Sequence, residues 1–141
     1  WQEVTMRHPV VLCVDDELEV LIGREALLKQ KGCQVLISTN PHEALKLFAS
    51  CHVDAVVLDF QMPEMCGDMV ASRMKQLKPD IPIMLLSAHD SFPGEMLDHV
   101  DKFFSKREPP RKFVAAVQVL LADRKNFFSK WLRDWKRKAA A

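Results

Sequence analysis

The sequence predicts an α/β domain built on a doubly wound, five-stranded parallel sheet with helices on both faces. Three observations predict it. Short runs of branched apolar residues alternate along the chain with longer segments of helical spacing. The first of those runs, PVVLCV, is continuously apolar, as expected for a strand covered on both faces. No internal repeat or low-complexity stretch breaks the alternation.

The first strand is PVVLCV (9–14). ELEVLIGREALLKQKG (17–32) follows, with Leu18, Leu21, Ile22, Ala26 and Leu28 near helical spacing and Gly32 as the stop. CQVLIS (33–38) is the second strand. Asn40-Pro41 then reads as an N-cap and a proline at the first helical position, opening PHEALKLFAS. DAVVLD (54–59) is the third strand, and Gly67-Asp68 opens the helix MVASRMKQLK. Pro79 and Pro82 bracket the link to IMLLS (83–87), the fourth strand. The next segment, DSFPGEMLDHV, is helix-like but interrupted by Pro93-Gly94, so the fourth helix should be short or displaced. KFFS (102–105) is the fifth strand, and PPRKFVAAVQVLLADRK begins the last helix.

Bulk properties exclude several function classes. With 141 residues, 48% hydrophobic and 28% charged, the chain suits one soluble domain with a full core. A formal charge of +1 argues for neither nucleic acid nor an acidic substrate, so any charged partner must be read from local patches. Cys13, Cys33, Cys51 and Cys66 show no zinc-like spacing, and a reduced, cytoplasmic chain is the expectation. The histidines show no paired metal spacing, no run approaches the roughly 20 apolar residues of a membrane span, and WQEVTMR does not read as a signal peptide. The glycines, Gly23, Gly32, Gly67 and Gly94, allow neither a GxGxxG nor a GxxxxGK[ST] phosphate loop.

In doubly wound sheets, ligands sit at the carboxyl ends of the strands. Asp15-Asp16 follow strand one, Asp59 ends strand three, Ser87 ends strand four and Lys106 follows strand five. Carboxylates about 5 Å apart repel by roughly 3 kcal/mol at an effective dielectric near 20. A divalent cation relieves that, and an all-oxygen ligand set suits Mg²⁺ or Mn²⁺. A metal-neutralised carboxylate beside a lysine and a hydroxyl has the parts to attack a phosphoryl group.

In this order, VLCVDDE, LDFQMPEMCG, LLSAH and FFSK resemble the motifs of the receiver domain of two-component response regulators, over residues 8–123. The resemblance implies the flavodoxin-like receiver fold, strand order 2-1-3-4-5. It implies that Asp59 is the phosphoacceptor, taking its phosphate from a sensor histidine kinase or a phosphotransfer protein. Asp15, Asp16, Asp59 and the Gln61 backbone carbonyl would bind the metal, with Asp15 acting through water. Lys106 would pair with the phosphoryl group and Ser87 would turn toward it. Phe103 matches the aromatic switch position, with plain core packing as the other reading. Gln61 and His89 fall where the family tunes phosphate lifetime. Such a domain signals, and its only chemistry is self-phosphorylation from a donor and autodephosphorylation.

The chain departs from the family where Lys106 is followed by Arg107-Glu108, with the prolines only at 109 and 110, and in the shortened segment between Ser87 and Lys106. Two other readings stand beside this one: a receiver-like module that binds a partner without being phosphorylated, and an aspartyl-phosphate hydrolase of the haloacid-dehalogenase type. The hydrolase wants a second aspartate where Gln61 stands.

Residues 124–141 form a basic aromatic extension of the last helix, too short for a separate DNA-binding module. Residues 110–138 should run as one rod of roughly 40 Å. Phe128, Trp131, Leu132 and Trp135 continue the apolar stripe of Val114, Val117 and Leu121. That stripe can fold back on the domain, meet a downstream protein partner or a second copy, or lie on an anionic membrane. Specific DNA binding is not expected.

Overall fold

The computed structural model describes residues 8–88 and 99–140, leaving aside the side chains of 125–128. The strands are β1 (Val10–Val14), β2 (Gln34–Ser38), β3 (Ala55–Asp59), β4 (Ile83–Ser87) and β5 (Lys102–Ser105). The described helices are α1 (Leu18–Lys29), α2 (Pro41–Ser50), α3 (Gly67–Leu77) and α4 (Pro110–Ala140). All strand pairs are parallel, in the order β2-β1-β3-β4-β5. The expected fourth helix, with Pro93-Gly94, lies outside the described residues.

Strand periodicity divides the core in two. Leu12, Val14, Val56, Leu58, Ile83 and Leu85 face one side, where Phe48 of α2 and Val70 and Met74 of α3 cover them. Val11, Cys13, Val57, Met84 and Leu86 face the other, against Leu21 and Leu28 of α1 and Phe113 and Val117 of α4. The three central strands β1, β3 and β4 are buried throughout, which is why their residues read as apolar runs, whereas the edge strands β2 and β5 are only partly buried. Cys13 behaves as a core hydrophobe, because burial pushes its thiol up to about 12.

Local signals act as the residue types suggest. The Asn40 side chain accepts from the backbone N–H groups of His42 and Glu43, and Pro41 begins α2. Gly32 takes φ +86° in the turn after α1. Asp54 falls just outside β3; its N–H donates to the Val10 carbonyl at 2.8 Å, and its Oδ2 accepts the Val10 N–H at 2.8 Å. Its Oδ1 pairs with Arg124 of α4, which ties the last helix to the amino-terminal edge of the sheet.

Two helices depart from the simple pattern. In α1, Leu18 and Ile22 are each 51% exposed, whereas Leu21 and Leu28 are buried. The core stripe therefore runs through 21, 24 and 28, and it carries an arginine at its centre. The last helix spans 31 residues, about 45 Å. Its first turns pack Phe113, Val114 and Val117 into the core, while Trp131 and Trp135 are exposed. Among the described residues, no helix is long and apolar enough to cross a membrane.

Candidate functional site

Strand register brings the carboxyl-terminal residues to one level. Val14 pairs with Leu58, Asp59 with Leu86 and Ser87 with Ser105. Asp15 continues the ladder by donating its N–H to the Ser38 carbonyl at 3.2 Å, and the Lys106 N–H donates to the Ser87 carbonyl at 2.8 Å. Asp15, Asp59, Ser87 and Lys106 thus share the rim.

The side chains complete the arrangement. Lys106 Nζ lies 2.8 Å from Asp59 Oδ1 and 3.5 Å from Asp15 Oδ2. Asp15 and Asp59 are almost fully buried, at 0% and 3% exposure. Asp15 Oδ1 also accepts the Glu17 backbone N–H at 3.0 Å, a local turn that starts α1. Asp16 and Glu17 stand exposed above it. One carboxylate oxygen from each of Asp15, Asp16 and Glu17 can be chosen so that all lie within 4.8 Å of one another. Oxygen donors of this kind, one buried and two facing water, fit a hard divalent cation that keeps part of its hydration.

Burial is the largest influence on Asp59 and raises its carboxyl above the ordinary 3.8. The Lys106 hydrogen bond opposes the rise, the Asp15 charge adds to it, and the Gln61 backbone N–H opposes it again. A raised folded-state value means that the folded chain holds this proton to higher pH than the unfolded chain does. The carboxylate therefore costs nothing below the unfolded value, and its destabilisation grows as pH rises from the unfolded value to the folded one and is constant above it. In EDTA, Asp59→Asn should be more stable than the parent at neutral pH, because it removes a buried charge whose carboxyl is already held above its ordinary value. That advantage should vanish toward pH 3. Paired thermal melts across this range check it, and a constant difference would refute it.

Gln61 is exposed beside Asp59. Phe103 is partly buried in β5 and packs on the α2–α3 face of the core. Ser87 is buried at the end of β4. His89 lies outside the described residues. Three neighbours escaped the reading of the sequence. Glu17 was legible as the third acid of the DDE run. Arg24 was signalled by its place between Leu21 and Leu28 in the core stripe. Gly67 had no local signal, since its φ is not positive and its need is for space.

Comparison with known proteins decides the family. The family model described as response regulator receiver domain matches residues 11–118. The chain belongs to that family. Response regulator SaeR of Staphylococcus epidermidis is 34% identical over 116 residues, covering 79% of this chain and 50% of SaeR. Transcriptional regulatory protein PrrA of Mycobacterium tuberculosis is 32% identical over 82% of this chain and 51% of PrrA. The chain spans about half the length of these relatives. Among solved structures, the receiver domain protein (CheY-like) of Methanospirillum hungatei superposes with TM-score 0.78 at 19% identity, over 85% of this chain and 98% of that one. At that identity the superposition speaks for the fold alone. Response regulator protein TrrA of Thermotoga maritima, in complex with Mg²⁺-BeF, gives TM-score 0.75 at 29% identity over 79% of this chain and 98% of that one. The receiver domain thus carries the β2-β1-β3-β4-β5 order expected of it, and its family is one of two-component signalling.

Proposed function

We propose that this receiver domain accepts a phosphoryl group on Asp59 from a phosphohistidine of a sensor kinase or phosphotransfer protein, in the presence of a divalent cation. The observation that carries the reading is the Lys106 ammonium placed within ion-pair distance of two buried carboxylates from different strands. An Asp59 carboxylate oxygen attacks phosphorus and the P–N bond breaks. Its electron pair stays on the imidazole, which is reprotonated, and an acyl phosphate forms. Water later attacks the same phosphorus, returning the carboxylate and inorganic phosphate.

Asp15, Asp16, Asp59 and the Gln61 carbonyl would hold Mg²⁺ or Mn²⁺; Glu17, whose carboxylate groups with those of Asp15 and Asp16, adds negative charge at the rim. The ion, when bound, neutralises the transferring oxygens. Lys106 leaves Asp15 free to follow the new phosphoryl charge, and the Ser87 hydroxyl donates to a phosphoryl oxygen. Phe103, in register with Leu85, two residues before Ser87 on β4, would repack as Ser87 turns. Gln61 and His89 would set how readily water reaches the phosphorus.

In this reading residues 8–123 are the switch and 124–141 extend its last helix. A protein partner, or a second copy meeting the 110–138 helix, reads the switched state in the cytoplasm. Contact of the basic end of that helix with an anionic membrane is the lesser reading, favoured only by its exposed tryptophans and its basic residues.

Metal removal tests the chemistry. Incubated with a small phosphodonor and Mg²⁺, the protein should gain a single hydroxylamine-sensitive phosphoryl group by intact mass. EDTA should abolish the gain. Uptake undiminished in EDTA, or no uptake with either cation, would sink the proposal.

A further inference from the structure

One buried cation of this rim is not used by the chemistry above. Arg24, at the centre of α1, donates from Nη1 to Asp15 Oδ2 at 2.9 Å, and its side chain is only 12% exposed. A guanidinium and a carboxylate so far out of water are tolerable only because each compensates the other. The carboxylate is held on both sides, since Oδ1 takes the Glu17 N–H and Oδ2 lies 3.5 Å from Lys106 Nζ. Arg24 is itself supported from the far side: its Cζ stands 5.9 Å from the centre of the Phe113 ring, in the first turn of α4.

Charge arithmetic gives this contact a consequence. Asp15, Asp16, Glu17 and Asp59 bring four carboxylates, and Lys106 offsets one of them. Arg24 offsets a second, on the oxygen of Asp15 nearest Lys106. A cation entering the rim therefore meets less negative charge, and it meets a fixed positive charge a few ångströms away. We propose that Arg24 is an internal counter-cation that shares Asp15 with the divalent ion, so that it weakens loading and sets the ion concentration at which the site fills. The inference rests on the reading of the rim as a divalent-cation site. Repulsion between +1 and +2 charges at such separations is worth about ten-fold in affinity even under full solvent screening.

The surroundings let Arg24 yield. A cavity of about 140 Å³ adjoins the guanidinium, lined by Leu27, Phe104, Lys106, Glu108 and Phe113 as well as Arg24. It offers space, an aromatic face and a carboxylate to the guanidinium when Asp15 turns to the ion. Metal loading would then shift the contact between α1 and the first turn of α4.

Binding of Mn²⁺, followed by the electron paramagnetic resonance of the free ion, tests this in the full chain. Arg24→Met keeps the stem on Phe113 and removes the charge, so it should bind Mn²⁺ about ten-fold more tightly. Arg24→Lys keeps the charge and should stay within about three-fold of the parent. In EDTA the Met variant should melt lower than the parent, and Mg²⁺ should raise its melting temperature by more. A merely structural arginine would lower stability without tightening the ion. Equal affinity in all three proteins, or weaker binding by Arg24→Met, overturns the inference. Absence of Mn²⁺ binding in every protein overturns the reading of the site itself. Should the Met variant not fold, the parent still decides. Its Arg24 Nε–H resonance should shift with the same midpoint in Mg²⁺ as the Asp16 amide, and an unmoved resonance rejects the proposal.

Discussion

Asp59→Asn should take up no phosphoryl group from a small phosphodonor in Mg²⁺, a loss of more than about a thousandfold in rate, as follows removal of a covalent nucleophile. The substitution is nearly isosteric, and an amide is no nucleophile toward phosphorus at neutral pH. Lys106 keeps Asp15 as a partner at 3.5 Å, so the rim need not collapse. Relief of the buried charge on Asp59 should leave the fold at least as stable. Loss of uptake therefore cannot be blamed on unfolding, and melting curves of the same samples establish that. Uptake persisting at the parent rate would move the nucleophile to Asp15 or Asp16, the acids that follow β1. Uptake would then be expected to disappear in Asp15→Asn or Asp16→Asn.

Gly67→Ala should cost roughly 2–4 kcal/mol of stability and slow phosphoryl uptake as well. An added Cβ would lie 2.4 Å from the Asp59 carbonyl oxygen, 2.7 Å from Leu85 Cδ1 and 3.0 Å from Phe60 Cα. Leu85 can rotate; the Asp59 and Phe60 backbone cannot move without a consequence. Phe60 is anchored twice: its N–H donates to the Leu86 carbonyl at 2.8 Å and its carbonyl accepts from the Gly67 N–H at 2.8 Å. Steric relief must stretch one of those bonds or lift α3 from the end of β3. Either motion displaces Asp59 from Lys106, now 2.8 Å away. Urea titration gives the stability loss and single-turnover phosphorylation gives the rate. A variant within about 0.5 kcal/mol of the parent, phosphorylated at the parent rate, would show that the close approach has no such role.

These two positions mark how far the sequence could be read. Asp59 was visible because a carboxylate directly ends the buried run AVVL, and that contrast lies within a few neighbouring residues. Gly67 was visible only as the start of a helix. What makes it glycine is the backbone eight residues earlier, together with Leu85 from another strand. Phe103 shows the same limit: alternation in KFFS separates it from Phe104, but only packing shows that Phe103 faces α2 and α3 while Phe104 faces α1 and α4. Apolar spacing in α1 misplaced Leu18 and Ile22, because a short helix with apolar residues on two faces does not declare which face meets the sheet.

By itself, the chain's order of residues determined the alternation of strands and helices, the two-sided burial of the strands, and which acids, hydroxyl and lysine stand at strand ends. Each of these follows from neighbours in the chain, through strand period, helix period and caps. Tertiary structure alone decided that Lys106 reaches both Asp59 and Asp15, that Arg24 claims the second oxygen of Asp15, and that Asp54 and Arg124 close the opposite edge. Those are distances between segments up to 91 residues apart, from Asp15 to Lys106. They depend on strand order, register and helix rotation, and the strength of a charge contact changes steeply over the few ångströms that those variables control.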